Sequence, residues 1–241
     1  MFSLTLTGAD QWTDTDALAG QAGVEFGLLY SRSNTANRYP DYGTLLRLLK
    51  QLPNPALHVC GSRARDDMFH GGPNFWELAG RVNRIQINGR VTETELNRLL
   101  SLYPEHVIIT QHRPGNEPLA GSWHPRHCIL VDGSGGQGIL PDKWEQPETQ
   151  RPIGFAGGLT PDNLKEQLGK ILAVRKYSWW VDMESGLRTD DCFDVDKALA
   201  AAERFRWWCL STKVGRCGQC GSTSAQGFCS ECLDERTGNR K

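Results

Sequence analysis

The chain has 241 residues, of which 39% are hydrophobic and 23% charged, and its 27 Lys and Arg residues nearly balance 28 Asp and Glu residues. These proportions are typical of a globular protein and exclude a disordered chain. The balanced charge lacks the basic excess that is typical of nucleic-acid-binding proteins. The longest apolar runs have four or five residues, whereas a membrane-spanning helix needs ~18 or more.

The amino-terminal segment Met1–Thr5 lacks the basic and the long apolar regions of a secretory signal. We therefore expect a cytoplasmic protein with reduced thiols that binds neither membrane nor nucleic acid. Two residue types are unusual: glycine is abundant, with 26 residues, and four of the 8 cysteines lie in the last 30 residues.

Short apolar runs rich in β-branched and aromatic residues recur with a mean spacing of 25 residues. Such runs predict strands that are buried on both faces, as parallel strands are. The pattern predicts eight strands: Ser3–Thr7, Val24–Tyr30, Ala56–Cys60, Asn83–Ile87, His106–Thr110, Cys128–Asp132, Pro152–Ala156 and Ser178–Met183.

Amphipathic patterns between these runs predict helices over Tyr42–Leu52, Thr92–Tyr103, Pro161–Leu172 and Asp194–Trp208. The second opens with a capping box formed by Thr92 and Glu95. The third has Thr160 as its capping residue and Pro161 in its first position.

Eight strand–helix repeats of this length predict an α/β fold, the (β/α)8 TIM barrel, with its active site at the carboxyl ends of the strands. An open doubly wound sheet is the alternative. We expect the barrel to cover residues 1–208 and a small zinc-ribbon-like tail to cover residues 211–241.

The tail contains two C-x2-C pairs separated by eight residues, formed by Cys217, Cys220, Cys229 and Cys232. Four thiolates with this spacing can bind one Zn²⁺ tetrahedrally, in a closed site with a structural role. The alternatives are labile disulfides or free thiols. No organic cofactor is expected.

Glycine-rich turns follow the predicted sixth, seventh and eighth strands. Backbone N–H groups in such turns can bind phosphate, and in barrels the loops after strands seven and eight frequently do so together. The candidate residues are the carboxylate of Asp132 and the turns at Gly135, Gly136, Gly157, Gly158, Ser185 and Gly186. We therefore expect a phosphorylated small molecule as the ligand.

Three segments resemble phosphoribosylanthranilate isomerase: 132–144, Phe155–Asn163 and Val181–Gly186. The strand at 27–30 followed by Arg38 is also similar to the family's second strand and the arginine after it. The resemblance covers roughly residues 1–200 and is most specific from 127 to 186. It implies the family's Amadori rearrangement of an aminoaldose phosphate to an aminoketose, a step of tryptophan biosynthesis.

The resemblance also implies residue roles. Asp132 would be the general acid that opens the ribose ring, and Arg38 would face the anthranilate carboxylate. The phosphate would be bound by the turns at 157–158 and 185–186. The family's closing Ser-Gly-Val-Glu reads Ser-Gly-Leu-Arg here and ends at Arg188.

The general base of the family is a cysteine at the end of the first strand, and Thr7 occupies that position here. A hydroxyl without assistance is too weak a base to remove a carbon-bound proton. Asp10 in the following loop and Cys60 at the end of the third strand are candidate substitutes.

These observations support two principal hypotheses. The first is an isomerase of a phosphorylated sugar–amine adduct. The second is a non-catalytic protein that keeps the phosphate site, has lost the base, and binds, sequesters or senses a phosphorylated metabolite or nucleotide. A third is a scaffold whose zinc tail binds a partner. The oligomeric state is not predicted.

Overall fold

The computed structural model describes residues 2–21, 23–113 and 124–212. In this part of the chain, eight parallel strands form a closed barrel in sequence order, because β1 pairs with both β2 and β8. The strands are β1 Phe2–Thr7, β2 Val24–Ser31, β3 Pro55–Cys60, β4 Arg84–Asn88, β5 Val107–His112, β6 His127–Asp132, β7 Ile153–Ala156 and β8 Trp179–Met183. The predicted TIM barrel is confirmed, and the open sheet is wrong.

Helices surround the barrel: α1 Thr15–Leu18, α2 Tyr42–Gln51, α3 Ser62–His70, α4 Pro73–Ala79, α5 Glu93–Leu102, α6 Leu164–Val174 and α7 Val195–Thr212. The predicted helices that correspond to α2, α5 and α7 are confirmed within a few residues. The capping box of Thr92 and Glu95 is also present. Helices α1, α3 and α4 were not predicted; α1 is a single turn, and α3 is mostly polar, with only Ala64 and Met68 buried.

The beginning of α6 differs from the prediction. Residues 161–163 form turns, and the helix begins at Leu164 rather than at Pro161. The Thr160 hydroxyl nevertheless accepts a 3.2 Å hydrogen bond from the N–H of Asn163, while the Asn163 side chain accepts one of 2.9 Å from the N–H of Thr160. These reciprocal bonds satisfy the free N–H groups of a turn that precedes the regular helix.

Hydrophobic side chains fill the layer between the strands and the helices, and fully buried residues such as Leu48, Leu96 and Leu168 line its helical side. The barrel interior is more polar. At the amino-terminal end of the strands, Arg84 forms a 3.2 Å ion pair with Glu25 and lies 4.5 Å from the ring centre of Trp180. The interior therefore has a packed floor, and the opposite end of the barrel remains for a ligand.

Two short antiparallel strands, β9 Arg188–Thr189 and β10 Cys192–Phe193, follow β8. They are preceded by a 3-10 turn over Ser185–Leu187. The residues that connect β9 to β10, Asp190 and Asp191, both have positive φ, 50° and 55°. This small hairpin lies beside the carboxyl ends of β1 and β8, as its contacts below show.

Helix α7 continues to Thr212, past the expected barrel boundary at residue 208. The predicted zinc ligands Cys217, Cys220, Cys229 and Cys232 lie outside the described residues. Over 2–21, 23–113 and 124–212, no three His, Cys, Asp or Glu side chains are grouped so that they could hold a metal ion. The helices of these ranges include none that is long and apolar enough to cross a membrane.

Candidate active site

The carboxyl ends of the strands enclose a polar pocket with a cavity volume of about 50 Å³. Acidic and amide side chains from β4, β5, β6 and β8 form one side, and glycine-rich turns form the other. The principal lining residues are Gln86, Asn88, Gln111, Asp132, Ser134, Gly136, Gly138, Gly157, Gly158, Asp182, Glu184 and Ser185. The pocket therefore lies where a TIM barrel binds its ligand.

Asp132, the predicted general acid, lies in this pocket at the end of β6. Its Oδ2 accepts a 2.9 Å hydrogen bond from the Gln111 amide. Its Oδ1 accepts bonds of 3.1 Å and 2.8 Å from the backbone N–H and the hydroxyl of Ser134. Because donors hold both oxygens, the carboxyl group has a fixed orientation toward the pocket.

Asp182 is a second carboxyl group in the pocket, and the sequence analysis did not single it out. It is the penultimate residue of β8 and is 7% exposed. Burial and the negative charge of Asp132 raise its pKa to about 6, although hydrogen bonds from Thr7 and Gln86 act in the opposite direction. A carboxylate with this pKa can accept a proton near neutral pH. Strand alternation, which places Asp182 on the same inward face as Trp180, was the signal that could have found it.

Thr7 lies at the end of β1 and is fully buried. Its hydroxyl donates a 2.6 Å hydrogen bond to Oδ1 of Asp182. The hydroxyl therefore acts as a donor to a carboxylate. Thr7, at the position of the cysteine in the family that the sequence resembles, thus contacts a pocket residue without lining the pocket itself. Its partner Asp182, and not Thr7, has the chemistry of a base.

Asp10 does not face the pocket, which corrects its candidate role as a base. Its Oδ2 lies 3.2 Å from the Arg188 guanidinium and accepts a 2.7 Å bond from the N–H of Phe193. Its Oδ1 accepts bonds of 3.2 Å from the Trp12 N–H and the Thr13 hydroxyl. Four donors occupy the lone pairs of this fully buried carboxylate. Asp10 therefore anchors the β9–β10 hairpin to the loop after β1.

Cys60, the other candidate base, is buried at the end of β3. Burial raises the pKa of its thiol to about 12, so the thiol stays protonated at neutral pH. The Asn88 amide donates a 3.3 Å bond to its sulfur. These properties contradict a role for Cys60 as the proton acceptor.

The turns expected to bind phosphate are present. Gly157 and Gly158 follow β7 with φ of 119° and 60°, conformations that favour glycine. Together with Gly136 and Ser185 they line the pocket. Gly186 instead lines a neighbouring surface groove, and Gly135 packs against the Arg113 side chain.

The loop after β6 lies directly on these turns. A Cβ atom on Gly158 would come within 2.6 Å of the Leu140 Cα atom, and one on Gly157 within 2.9 Å of the Ile139 carbonyl oxygen. A Cβ atom on Gly138 would come within 2.8 Å of the Ser185 Cβ atom. The small cavity therefore results from close backbone contact between this loop and the turns.

Arg38 is not directed into the pocket as a free cation. Its guanidinium forms ion pairs of 2.9 Å with Glu184 and 3.1 Å with Asp191. Glu184, by contrast, lines the pocket. Burial and the charge of Asp182 raise the pKa of Glu184, whereas the Arg38 guanidinium lowers it.

No family model matches the chain. A protein from Lactiplantibacillus plantarum named N-(5'-phosphoribosyl)anthranilate isomerase is 26% identical over 178 residues, which are 64% of this chain and 81% of that protein. The fold is similar to that of TrpF from Jonesia denitrificans, with a TM-score of 0.66, 17% identity, and coverage of 88% of this chain and 98% of the other.

A second similar structure is phosphoribosyl anthranilate isomerase in complex with reduced 1-(o-carboxyphenylamino)-1-deoxyribulose 5-phosphate. Its TM-score is 0.57 at 14% identity, over 86% of this chain and 100% of the other. The chain folds as a phosphoribosylanthranilate isomerase-like barrel. In this isomerase-like barrel Thr7, Asp132 and Asp182 lie together at the carboxyl ends of β1, β6 and β8. By contrast, Asp10 is buried in an ion pair with Arg188, and Cys60 is a buried, protonated thiol.

Proposed function

We propose that this isomerase-like barrel binds a phosphorylated ribose-type ligand and catalyses an Amadori-type isomerisation of an aminoaldose phosphate to an aminoketose phosphate. The observation that carries the proposal is the pair of carboxyl groups, Asp132 and Asp182, that line one pocket beside glycine-rich turns. Asp132 is hydrogen-bonded to Gln111 and Ser134, whereas Asp182 is hydrogen-bonded to Thr7. Two carboxyl groups in different surroundings can take different roles, one as the acid and the other as the base.

The proposed reaction starts with the phosphate bound at the turns of Gly157–Gly158 and Ser185. Asp132, in its protonated form, donates a proton to the ring oxygen, the C1–O bond breaks, and the nitrogen lone pair forms a C1=N double bond. Asp182 then removes the proton from C2, and the electrons of that bond form C1=C2 while nitrogen regains its lone pair. The C2 hydroxyl then loses its proton as C1 gains one, which forms the C2=O group of the aminoketose, and return of the proton from Asp182 to Asp132 restores both carboxyl groups for the next turnover.

Thr7 supports the proposed role of Asp182. Its hydrogen bond to Oδ1 stabilises the charged form of the carboxylate and orients it in the pocket. β1 therefore carries no basic side chain at this position. Instead, Thr7 on β1 orients the proposed base, Asp182, on β8.

The proposal is tested by turnover of adducts made from ribose 5-phosphate with aniline or with anthranilate. We expect product with the wild-type protein, and we expect Asp182→Asn and Asp132→Asn each to lower kcat by roughly 10²–10⁴-fold. The exposed Asp66 on α3 offers a matched control, and Asp66→Asn should retain full turnover. Wild-type rates equal to those of both active-site variants, with ribose 5-phosphate still bound, would establish the non-catalytic binder instead.

We further propose that Cys217, Cys220, Cys229 and Cys232 bind one structural Zn²⁺ in the tail. The support is the spacing of the two C-x2-C pairs, which suits a closed tetrahedral site. Metal analysis of the full-length reduced protein should give close to one zinc per chain. Cys217→Ser should lower this value, whereas Cys192→Ser, in the barrel, should not. A zinc-free protein with paired cysteines would favour the disulfide alternative.

A further inference from the structure

The charge around Arg38 is unusual for a site that would receive a carboxylate. Arg38 pairs with Glu184 and Asp191, and Asp191 also lies 3.3 Å from Arg188, which pairs with Asp10. Two guanidinium groups thus face three carboxylates, and the sum of these formal charges is −1. The positive charge of Arg38 is therefore already neutralised within the protein.

The geometry determines which of these charges a ligand would meet. Glu184 lines the pocket together with Asp132 and Asp182, whereas Arg38 contacts Glu184 from outside the lining. The 2.9 Å ion pair with Arg38 favours the charged form of Glu184, against the burial that raises its pKa. A carboxylate placed against Glu184 would meet a like charge in a partly buried environment, where such repulsion is strong.

We propose that the ligand arm that lies against Glu184 carries no negative charge and is a neutral or cationic hydrogen-bond donor, so that Glu184 selects against aglycones that bear a carboxylate. This inference rests on the proposed function, because it concerns the nitrogen substituent of the same aminosugar phosphate. The proposed function assigns the phosphate to the turn at Gly157–Gly158, which offers backbone N–H donors instead of carboxylates.

The test compares two ligands that differ in one carboxyl group. One is reduced 1-(o-carboxyphenylamino)-1-deoxyribulose 5-phosphate, and the other is the same compound with a plain phenylamino group. Calorimetric titration of the wild-type full chain should show binding of the phenylamino compound about tenfold or more tighter, since like-charge contact costs several kcal/mol in general. Glu184→Gln should remove this preference, because the amide keeps a hydrogen-bond acceptor for Arg38 without the charge.

A matched control separates direct repulsion from release of Arg38. Asp191→Asn removes a charge from the same guanidinium, but Asp191 is 44% exposed and outside the pocket lining. We expect the preference to be retained in Asp191→Asn. Its loss in both variants would assign the selection to Arg38 and overturn the role of Glu184.

Different experimental outcomes distinguish failure of this inference from failure of the proposed function. Equal or tighter binding of the carboxylate compound by the wild-type protein overturns the inference while it supports a phosphosugar site. Binding of neither compound, together with no binding of ribose 5-phosphate, overturns the proposed function itself. The affinities of the two compounds for the wild-type protein test the inference even if Glu184→Gln fails to fold.

Discussion

The hydroxyl of Thr7 donates a 2.6 Å hydrogen bond to Oδ1 of Asp182 across the contact between β1 and β8. Both side chains are buried, and they are separated by 175 residues in the sequence. The bond stabilises the ionised form of Asp182 and so acts against the burial that raises its pKa. It follows that the two residues determine together the pH at which the pocket contains a base.

Thr7→Val should shift the pH dependence of catalysis. The valine keeps the shape of the side chain but removes the donor, so the pKa of Asp182 should rise above its value of about 6. The acidic limb of the kcat/KM profile should move upward by about one pH unit, which corresponds to the loss of one buried hydrogen bond. Thr5→Val, which removes the hydroxyl that bonds to Glu25 on the barrel floor, should leave the limb in place. An unchanged limb in Thr7→Val would show that Asp182 is not the titrating base.

Asp182→Asn should stabilise the protein at pH 7. Folding raises the pKa of this carboxyl from 3.8 to about 6, so the native state binds the proton more tightly than the unfolded state does. The free energy of unfolding therefore falls as the pH rises from the lower to the higher of these two pKa values. Above the higher value, the buried charge costs roughly 2–3 kcal/mol of stability.

Chemical denaturation at pH 7 and pH 4.5 measures this effect. The gain in unfolding free energy of Asp182→Asn should be larger at pH 7 than at pH 4.5. The exposed variant Asp66→Asn should show nearly the same small change at both values. A loss of stability in Asp182→Asn that is equal at the two pH values would contradict the assigned pKa shift.

Asp10→Asn should destabilise the barrel, because the Arg188 guanidinium is 5% exposed and would lose its buried counter-charge. Breaking such a buried pair typically costs about 3–5 kcal/mol. Asp191→Asn, which removes an exposed partner of the same guanidinium, should cost less than about 1 kcal/mol. Denaturant titration compares the two. A normal unfolding free energy combined with lost turnover in Asp10→Asn would restore Asp10 as the catalytic base.

Gly158→Ala should weaken phosphate binding. An alanine at φ of 60° is strained, and its Cβ atom would lie 2.6 Å from the Leu140 Cα atom, so the loop or the turn must move. We expect the Kd for ribose 5-phosphate to rise about tenfold or more, as expected when a hydrogen bond to a charged group is lost. Gly169→Ala in α6, where a Cβ atom has nothing within 4 Å, should add roughly 0.5–1 kcal/mol of stability and leave the Kd unchanged. Equal affinities in the two variants would exclude the turn at 157–158 as the phosphate site.

The sequence was sufficient to predict the barrel, because the strands are short, rich in β-branched and aromatic residues, and regularly spaced. Local patterns also located Asp132 and the turn at Gly157–Gly158. The environment of Asp10 could not be predicted, since it depends on Arg188, which is 178 residues away. The ion pair between Arg38 and Glu184 could not be predicted for the same reason, since these residues are 146 positions apart in the sequence. A motif indicates where a charged group lies on its strand, whereas its partner is determined by closure of the barrel.

The loop after β6 has a kinetic consequence. A cavity of about 50 Å³ is far smaller than the ~300–1,000 Å³ of typical small-molecule sites, and residues 138–140 lie directly on the turns that border it. Gly135, Gly136 and Gly138, all with positive φ, give this loop backbone conformations that other residues rarely adopt. We therefore expect opening of this loop to precede binding of a phosphosugar. The association rate should then reach a ceiling at high ligand concentration, and the ceiling should be the same for different ligands because it is a property of the protein.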